Sequence, residues 1–490
     1  MEKSILKNVA INFTGLVLPV FVSLLTVPIY IRGVGVERYG VINLVWALIG
    51  YFSVLDFGIS AATENHIAKA RGGDVRAIQR IFWSAFYLNL GTGIVGAAIV
   101  WGGTSFYVER IAAIDPAFGR EVLDALPWIA LSVPVANLSW MFSGCLCGME
   151  KFVLFNVNQT IGTFLIQLVP LAAVYLISPS LAVVVPAIVI ARSLAALMLA
   201  YGAFRSMRIT RAFLPDRHLV WELVKYGRWL VAVTGSNAIS ASLDSVMIGS
   251  ALGMKYVAYY AAPQSVVSRL DLLPTAMLRT LFPRFSSTSG DAASRLPNQS
   301  LNFLNFLFTP CAVLALFALE PFLHLWLGRE MAQNGAPVGR VLVIGVWLTA
   351  QSSIIRVLIQ AKLDPSRAAL VGWVGVPVFV GMLWAGIHWG GMIGAGLAVV
   401  ARSLLDYTAM LYFSKLQPRP VVRNMVGHLT FIVVALLCAS SMHSLASLAA
   451  TAAVIILGNI AWSLADSREL LDMILRIRRR FLAARVGPGT

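Results

Sequence analysis

The sequence predicts an all-α polytopic membrane protein with fourteen transmembrane helices. Of its 490 residues, 58% are hydrophobic and only 12% are charged, which is about half the charged fraction of a soluble domain. Apolar runs long enough to cross a hydrocarbon layer of ~30 Å recur along the chain, with no soluble domain between them. We predict spans at 9–31, 41–63, 81–103, 126–148, 154–177, 181–204, 226–250, 259–282, 301–324, 338–360, 367–388, 391–413, 425–443 and 446–465.

The first two spans introduce the polar features of the chain. Span 1 contains Pro19 and Pro28, and prolines kink membrane helices and free backbone carbonyls. Span 2 carries Asp56 inside its apolar run and Glu64 at its end. At ~1.5 Å per residue, Asp56 lies about two thirds of the way across. A carboxylate at that depth must face water or a cation, so we expect a water-lined interior.

Loops between the next spans set the domain organisation. An outer segment at about 104–125 mixes charges of both signs and is predicted to carry a short surface helix. The GMEKF sequence at 148–152 predicts a tight cytoplasmic turn. Span 11 is separated from span 12 by a very tight turn at 388–391. A basic connection follows span 6 and divides the chain at 205–225.

The second half of the chain repeats the first. Ala191-Arg192-Ser193-Leu194 recurs as Ala401-Arg402-Ser403-Leu404, 210 positions later, and Lys151 has a counterpart in Lys362 at an offset of 211. The turn Gly35…Tyr39-Gly40 is echoed more weakly by Gly253…Tyr259-Tyr260. Matched offsets predict a parallel duplication. We therefore predict an N-terminal six-helix lobe at 1–204, a cytoplasmic linker at 205–225, a second lobe at 226–413, an extra helix pair at 414–465 and an amphipathic basic tail at 466–490.

Charge distribution predicts the topology. The formal net charge is +16, and most of the 38 Lys and Arg residues fall in loops and tails on one side of the predicted spans. This asymmetry indicates that both termini are cytoplasmic. The basic excess is explained by topology and by contact with anionic lipid, so nucleic acid is not a predicted partner.

No motif for catalysis or cofactor binding is present in the sequence. We find no P-loop, no zinc-protease motif, no nucleophile elbow and no dinucleotide fingerprint. The six His residues have no ligand spacing, and the four Cys residues lie in apolar spans. We therefore predict a protein that is not an enzyme and has no cofactor or metal.

Charges inside the spans are the candidate substrate-binding residues, because such groups normally face a bundle interior or a wet cavity. We select Arg269, Arg192, Arg402, Arg356, Asp56, Asp271 and Glu64. Two alternatives stay open: Arg402 and Asp406, one turn apart, can neutralise each other, and Glu64, Arg279 and Glu320 lie near span ends and can reach the interface. Arg269 and Asp271 do not share a helix face. The cations are all arginines, whose planar fork suits phosphate, so a phosphate-bearing ligand is favoured.

Several motifs resemble those of the Wzx-type polysaccharide flippases, members of the multidrug/oligosaccharidyl-lipid/polysaccharide exporter superfamily. They are GVGVERYG at 33–40, LDFGISAATENHIAKA at 55–70, the GMEKF turn and the basic linker. The resemblance implies a MATE-like V-shaped fold of two rocking lobes. It implies transfer of undecaprenyl-pyrophosphate-linked oligosaccharide between leaflets of the bacterial inner membrane, with a polysaccharide polymerase and a chain-length regulator as partners. Family cavity arginines lie in span 8, where Arg269 matches, whereas the many intramembrane acids depart from a uniformly cationic cavity.

Other functions remain as alternatives. An ion-coupled multidrug exporter or a lipid II flippase of the same fold would share the topology, and a drug exporter would depend on a buried acid such as Asp56. A membrane glycan polymerase or ligase would need a large outer domain or loop, which the short outer segments disfavour. A scaffold without transport would leave the deep arginines as an unexplained cost.

Overall fold

The computed structural model describes residues 22–43, 58–71, 74–110, 116–287, 291–363, 365–442 and 444–467. These residues are helical almost throughout, and none of them forms a strand. The helices are α1 (Val22–Val34), α2 (36–43), α3 (Ile59–Ala70), α4 (Val75–Arg110), α5 (Pro116–Gly148), α6 (Phe152–Leu176), α7 (Leu181–Met207), α8 (Arg217–Ala251), α9 (Met254–Val267), α10 (Leu272–Ser287), α11 (Asp291–Leu327), α12 (Arg329–Lys362), α13 (Pro365–Ser414), α14 (Pro418–Ser441) and α15 (Leu445–Asp466).

Long apolar helices confirm a multi-pass membrane protein. Within the described residues, nine helices are long and apolar enough to cross a membrane. Large apolar side chains such as Leu197 and Trp384, each 64% exposed, are accommodated by surrounding lipid. The exact number of fourteen spans stays a prediction, since Asp56 and most of spans 1 and 2 lie outside the described residues, as does the tail from 468.

Helix α13 contains two of the predicted spans. Its 50 residues would extend ~75 Å as one straight helix, far more than a bilayer requires. The backbone leaves helical geometry at Gly391, with φ 54°. A Cβ on Gly394 would lie 1.8 Å from the Gly386 carbonyl oxygen, so the segments before and after the turn touch backbone to backbone. The tight turn predicted at 388–391 is therefore confirmed.

Two other predicted features are wrong. The outer segment at 104–125 is mostly helix, because α4 continues to Arg110 and α5 begins at Pro116. Span 8 is not one continuous helix: a 3₁₀ turn, Ser268–Asp271, separates α9 from α10. In the linker, α8 already begins at Arg217, where the Asp216 carboxylate caps it by accepting from the backbone N–H of His218 at 2.9 Å.

The chain divides into two compact units, Met1–Ala258 and Tyr259–Thr490. In the first unit, α5 packs between α3, α4 and α7. An aromatic cluster in this unit contains Phe82, Phe142 and Phe204. The ring centroids of Phe82 and Phe204 are 5.1 Å apart. The division assigns α8 to the first unit, whereas the sequence analysis assigns 226–413 to a second lobe. The predicted lobe boundaries stay a prediction.

Close contact between α3 and α5 depends on two glycines spaced four residues apart. A Cβ on Gly144 would lie 2.5 Å from the Ser60 carbonyl oxygen, and a Cβ on Gly148 would lie 2.7 Å from that of Glu64. Helices in membranes associate through such small-residue faces, because lipid supplies no hydrophobic force between them. Gly144 and Gly148 thus fix the position of α3, which carries the end of the motif-rich segment 33–70.

Backbone geometry repeats between the two predicted lobes. Gly35 after α1 and Gly253 after α8 both adopt positive φ, 82° and 103°. Arg208 after α7 and Lys415 after α13 are both basic residues in the left-handed region, with φ 52° and 59°. Left-handed residues that are not glycine are uncommon. Their recurrence after the sixth predicted span of each lobe agrees with the internal repeat read from the sequence.

Candidate functional site

The 3₁₀ turn between α9 and α10 carries two of the candidate residues, Arg269 and Asp271. Pro263 in α9 has no backbone N–H to donate, and the 3₁₀ turn follows at Ser268. Arg269 is exposed and Asp271 is partly buried. Among the described residues, neither side chain makes an ion pair or hydrogen bond. Residues i and i+2 of a 3₁₀ turn point about 120° apart around the axis, which explains why Arg269 and Asp271 do not pair with each other.

The exposure of Arg269 and its predicted depth in the membrane together indicate what surrounds its side chain. The 3₁₀ turn interrupts predicted span 8 near its middle, where an arginine in contact with hydrocarbon would be strongly disfavoured. We therefore expect an exposed guanidinium at this predicted depth to face water. A 3₁₀ turn within a membrane helix often marks a functional hinge, and irregular backbone is tolerated at this depth only where it is buried in protein or lines a wet cavity. The turn packs against α12.

Arg356 has a different environment, because an acid neutralises it. Its guanidinium Nη2 donates to Asp406 Oδ1 at 2.6 Å, and Ser352 Oγ donates to Asp406 Oδ2 at 2.5 Å. Both ionic side chains are about one fifth exposed. The pair joins α12 to the second segment of α13, so its charge contributes to helix packing within the second unit.

Arg402 lies one helical turn before Asp406 and stacks on an aromatic ring. Its guanidinium carbon is 4.7 Å from the ring centroid of Phe379, on the first segment of α13, a cation–π distance. Next to it, Ser403 and Thr349 hydroxyls are 3.0 Å apart. The sequence analysis kept an Arg402–Asp406 pair as one alternative. In the structure, Asp406 forms an ion pair with Arg356.

Arg192 and Glu64 lie in the first unit, on α7 and α3. Arg192 is partly exposed near the middle of its span, and no other described residue forms an ion pair or hydrogen bond with it. Glu64 is exposed on α3, next to the Gly148 contact. Asp56 lies outside the described residues. Of the seven candidates, Arg356 pairs with Asp406, one helical turn after Arg402. Arg269 and Asp271 lie on one turn.

Two carboxylates that the sequence analysis did not select connect helix ends on the predicted outer side. Glu121 accepts from the Arg38 guanidinium at 3.2 Å and from the Leu181 backbone N–H at 2.7 Å, joining α2, α5 and α7. Glu330 accepts from the Tyr259 hydroxyl at 2.5 Å, joining α9 and α12. Positions 121 and 330 differ by 209, close to the repeat offset. That offset is the signal that would have found them.

Arg340, near the start of the span predicted at 338–360, forms a buried ion pair. Helix α12 begins earlier, at Arg329, and buries Arg340 to 6% exposure. Arg340 donates to Glu320 at 2.6 Å, which fixes Glu320 as its ion-pair partner. The described residues also contain no group of three or more His, Cys, Asp or Glu side chains that could hold a metal ion.

At the predicted inner ends of the helices, two charged groups of the first unit form an ion pair. Arg71 after α3 pairs with Glu150 after α5. Their hydrogen bond lowers the pKa of the exposed Glu150 carboxyl and raises that of Arg71. Glu150 has φ 54° in the predicted GMEKF turn, so this turn brings the ends of α3 and α5 together.

Comparison with known proteins identifies the family. Residues 5–289, more than half of the chain, match the family described as "Polysaccharide biosynthesis protein". The chain belongs to this polysaccharide biosynthesis family. A relative from Shigella flexneri, named "Putative O-antigen transporter", is 25% identical over 82% of this chain and 96% of its own length. "Uncharacterized membrane protein EpsK" of Bacillus subtilis (strain 168) is 21% identical, and the match covers 66% of each chain.

Solved structures show that this polysaccharide biosynthesis family member has the MATE- and MurJ-like fold. "Lipid II flippase MurJ, inward closed conformation" aligns with a TM-score of 0.70 over 94% of this chain and 99% of its own, at 12% identity. An inward-facing "multidrug resistance MATE family transporter of the MOP superfamily" aligns with a TM-score of 0.66 over 83% and 96%, at 15% identity. The expected fold and superfamily resemblance are therefore confirmed. The substrate-binding roles of individual residues stay predictions.

Proposed function

We propose that the protein is an inner-membrane flippase. It moves oligosaccharide repeat units linked to undecaprenyl pyrophosphate from the cytoplasmic to the periplasmic leaflet, by alternating access, for surface polysaccharide synthesis. The observation that carries the proposal is the exposed Arg269 on the 3₁₀ turn that interrupts predicted span 8. A guanidinium held at mid-membrane depth in water can bind a pyrophosphate that hydrocarbon would exclude.

Several features support this function over transport of a neutral solute. Arg269 has no neutralising partner among the described residues, and neither has Arg192 on the other unit. Both present the bidentate donor geometry that phosphate oxygens accept. Arg356 and Arg402, by contrast, are engaged within the second unit. We therefore propose Arg269 in the second unit and Arg192 in the first as the candidate phosphate-binding residues. Arg356, Arg402, Asp271, Glu64 and Asp56 stay candidate substrate-binding residues.

The family and a named relative agree with this substrate class. A polysaccharide biosynthesis family and a relative called an O-antigen transporter are consistent with a lipid-linked sugar. The transported lipid must come from a reaction that joins sugars to polyprenyl phosphate, and a polymerising reaction must consume it. We infer a polysaccharide polymerase and a chain-length regulator as partners, an inner-membrane location and cytoplasmic termini.

Lipid extraction from a strain lacking this gene tests the proposal. Polyprenyl-linked oligosaccharides are resolved by mass, in the deletion strain and in strains complemented with wild type or with Arg269→Ala. We expect one complete repeat unit on undecaprenyl pyrophosphate to accumulate, surface polysaccharide to be lost, and only the wild type to restore it. An unchanged lipid pool with new sensitivity to cationic compounds would indicate a multidrug exporter. Accumulation of lipid II would indicate a peptidoglycan precursor flippase.

A further inference from the structure

A histidine at the inner end of α3 meets a carboxylate on the first turns of α8. His66 Nε2 lies 3.6 Å from Glu222 Oε2, within ion-pair distance. Glu222 Oε1 also lies 3.7 Å from His218 Nδ1, one turn earlier on α8. His66 is 20% exposed, Glu222 43% and His218 80%. Helix α8 packs here against α3 and α4, so Glu222 joins the helix after the linker to α3.

The other nitrogen of His66 determines when this contact is attractive. His66 Nδ1 lies 2.9 Å from the Ala62 carbonyl oxygen. A carbonyl oxygen only accepts, so Nδ1 must carry a hydrogen. In the neutral imidazole, Nε2 is then a lone pair that faces the Glu222 carboxylate. Only when Nε2 is also protonated does the contact become a charge-assisted ion pair.

Neighbouring charges leave Glu222 as the acid available to His66. On α3, Glu64 lies two residues before His66 and on another face, and Lys69 is exposed. Arg71 is engaged by Glu150. On α4, the Asp74 carboxylate caps the helix at the Arg76 N–H. On α8, the Asp216 carboxylate caps the helix at the His218 N–H. Apart from His218 and Glu222, the other charged groups near this end of α4 and α8 are basic: Arg76, Arg80, Arg217, Lys225 and Arg228. Within the ends of α3, α5 and α8 that the structure describes, Glu222 is the acid that lies within 4 Å of His66.

The inner end of α8 is otherwise held by the linker. Gln79 Nε2 donates to the Arg208 carbonyl at 2.6 Å and Trp83 Nε1 to the Arg211 carbonyl at 2.8 Å. The Asp216 backbone N–H donates to Ser84 Oγ at 3.0 Å. All three contacts attach the linker to α4, and none of them joins α8 to α3. Among the described residues, His66–Glu222 is the ion pair between α8 and α3.

We propose that His66 and Glu222 form a proton-controlled latch between the cytoplasmic ends of α3 and α8. Protonation of His66 closes the latch, and loss of the proton releases α8 from α3 at the side where substrate enters. The inference rests on the proposed transport function, for which it supplies a proton-linked step. Because the ion pair requires a proton on Nε2, low pH favours the closed latch and high pH the open one.

Distance measurement without substrate tests the latch. Ala68 and Tyr226, both neutral and exposed, are replaced by cysteine and spin-labelled in full-length protein in lipid nanodiscs, after replacement of Cys145, Cys147, Cys311 and Cys438. Distances are recorded from about pH 5 to about pH 8, where histidines titrate. We expect the short-distance population to fall several-fold as pH rises. His66→Asn and Glu222→Gln should abolish this dependence, and His66→Arg should keep the short distance at every pH.

Two control variants sharpen the result. His218→Asn should leave most of the pH dependence, because His218 is mainly exposed, and His324→Asn in the second unit should leave all of it. Unaltered pH dependence in His66→Asn or Glu222→Gln would overturn the latch. So would a pH-dependent distance in His66→Arg. A latch that responds to pH in a protein that moves no glycolipid would defeat only the proposed function; a pH-insensitive latch in an active flippase would defeat only this inference.

Discussion

Intramembrane arginines in this chain differ in what compensates their charge. Arg356 has a carboxylate at 2.6 Å and Arg340 has another at the same distance. Arg402 has an aromatic face. Arg269 is exposed and has no ion-pair partner among the described residues, and this difference gives its removal a different expected effect from removal of the paired arginines.

Arg269→Ala should lower glycolipid transport roughly tenfold or more, since a hydrogen bond to a charged group contributes about 1.5–3 kcal/mol. Protein abundance should stay normal, because no described side chain loses a partner. Arg269→Lys should keep part of the activity, as it retains the charge without the bidentate fork. Transport is measured with labelled lipid-linked oligosaccharide in proteoliposomes, and Arg295→Ala, an exposed arginine on α11, is the matched control. Wild-type activity in Arg269→Ala would remove this residue from the site.

Arg356→Leu and Asp406→Leu should each destabilise the protein, by roughly 3 kcal/mol, because a partly buried charge is left uncompensated. The double variant should recover most of the loss, since both charges are then removed together. Thermal unfolding in detergent measures the three variants against wild type. If the double variant is as unstable as the sum of the two single variants, the ion pair is not what stabilises this contact.

At the scale of elements, close helix contacts depend on residues without side chains. Gly144 and Gly148 let α5 touch the carbonyls of α3, and Gly386 and Gly394 let the two segments of α13 meet. In each contact the helices approach closely because glycine carries no side chain, and this close packing holds the membrane helices together.

Gly144→Ala should destabilise the first unit by roughly 1–3 kcal/mol, because its Cβ would meet the Ser60 carbonyl at 2.5 Å and the helices must separate. Alanine itself favours helix by about 1 kcal/mol, so the sign depends on the contact. Gly91→Ala on α4 is the control, since a Cβ there would meet nothing within 4 Å. Equal melting temperatures for the two variants would show that the α3–α5 contact tolerates a side chain.

The elements that the sequence predicted well are those with a hydrophobic or glycine signal. Long apolar runs predicted the helices, and Gly390-Gly391 marked the turn within α13. The 3₁₀ turn of span 8 was missed because Ser268–Asp271 follows an apolar run without any glycine, and Pro263 alone does not locate a break. The span at 338–360 was predicted to begin too late because the apolar run begins there, whereas α12 begins nine residues earlier, at Arg329.

Site residues were predictable as types and less so as arrangements. Burying charge in an apolar span is rare enough to select Arg269, Arg356 and Arg402 from sequence. Which acid compensates which arginine depends on helix rotation, which the hydrophobic pattern of a membrane span does not record. His66 and Glu222 were missed for a related reason: their pairing joins residues from two separate segments, and neither lies within an apolar run.

At the scale of the whole molecule, the extra helix pair is bound to the second unit through polar side chains. Asn424 on α14 accepts from Asn305 on α11 at 2.6 Å, and Asn305 in turn accepts from Gln351 on α12. His428 on α14 and Asn459 on α15 are 2.8 Å apart and fully buried. Polar contacts of this kind hold membrane helices together, because hydrocarbon offers no alternative partner. The pair outside the internal repeat is thus an integral part of its unit.

Truncation after Ser414 should therefore prevent the protein from accumulating, since it exposes the Asn305 amide to lipid without its partner on α14. Truncation after Ser467 removes only residues 468–490 and should leave abundance near that of wild type. Adding Asn305→Leu to the shorter form should restore part of its abundance, because an apolar side chain tolerates lipid contact. Fluorescence-detected size exclusion of tagged proteins measures all three. If the form ending at Ser414 is as abundant and monodisperse as the full chain, the polar contacts with α14 and α15 are not needed to hold the second unit together, and the pair is an appendage.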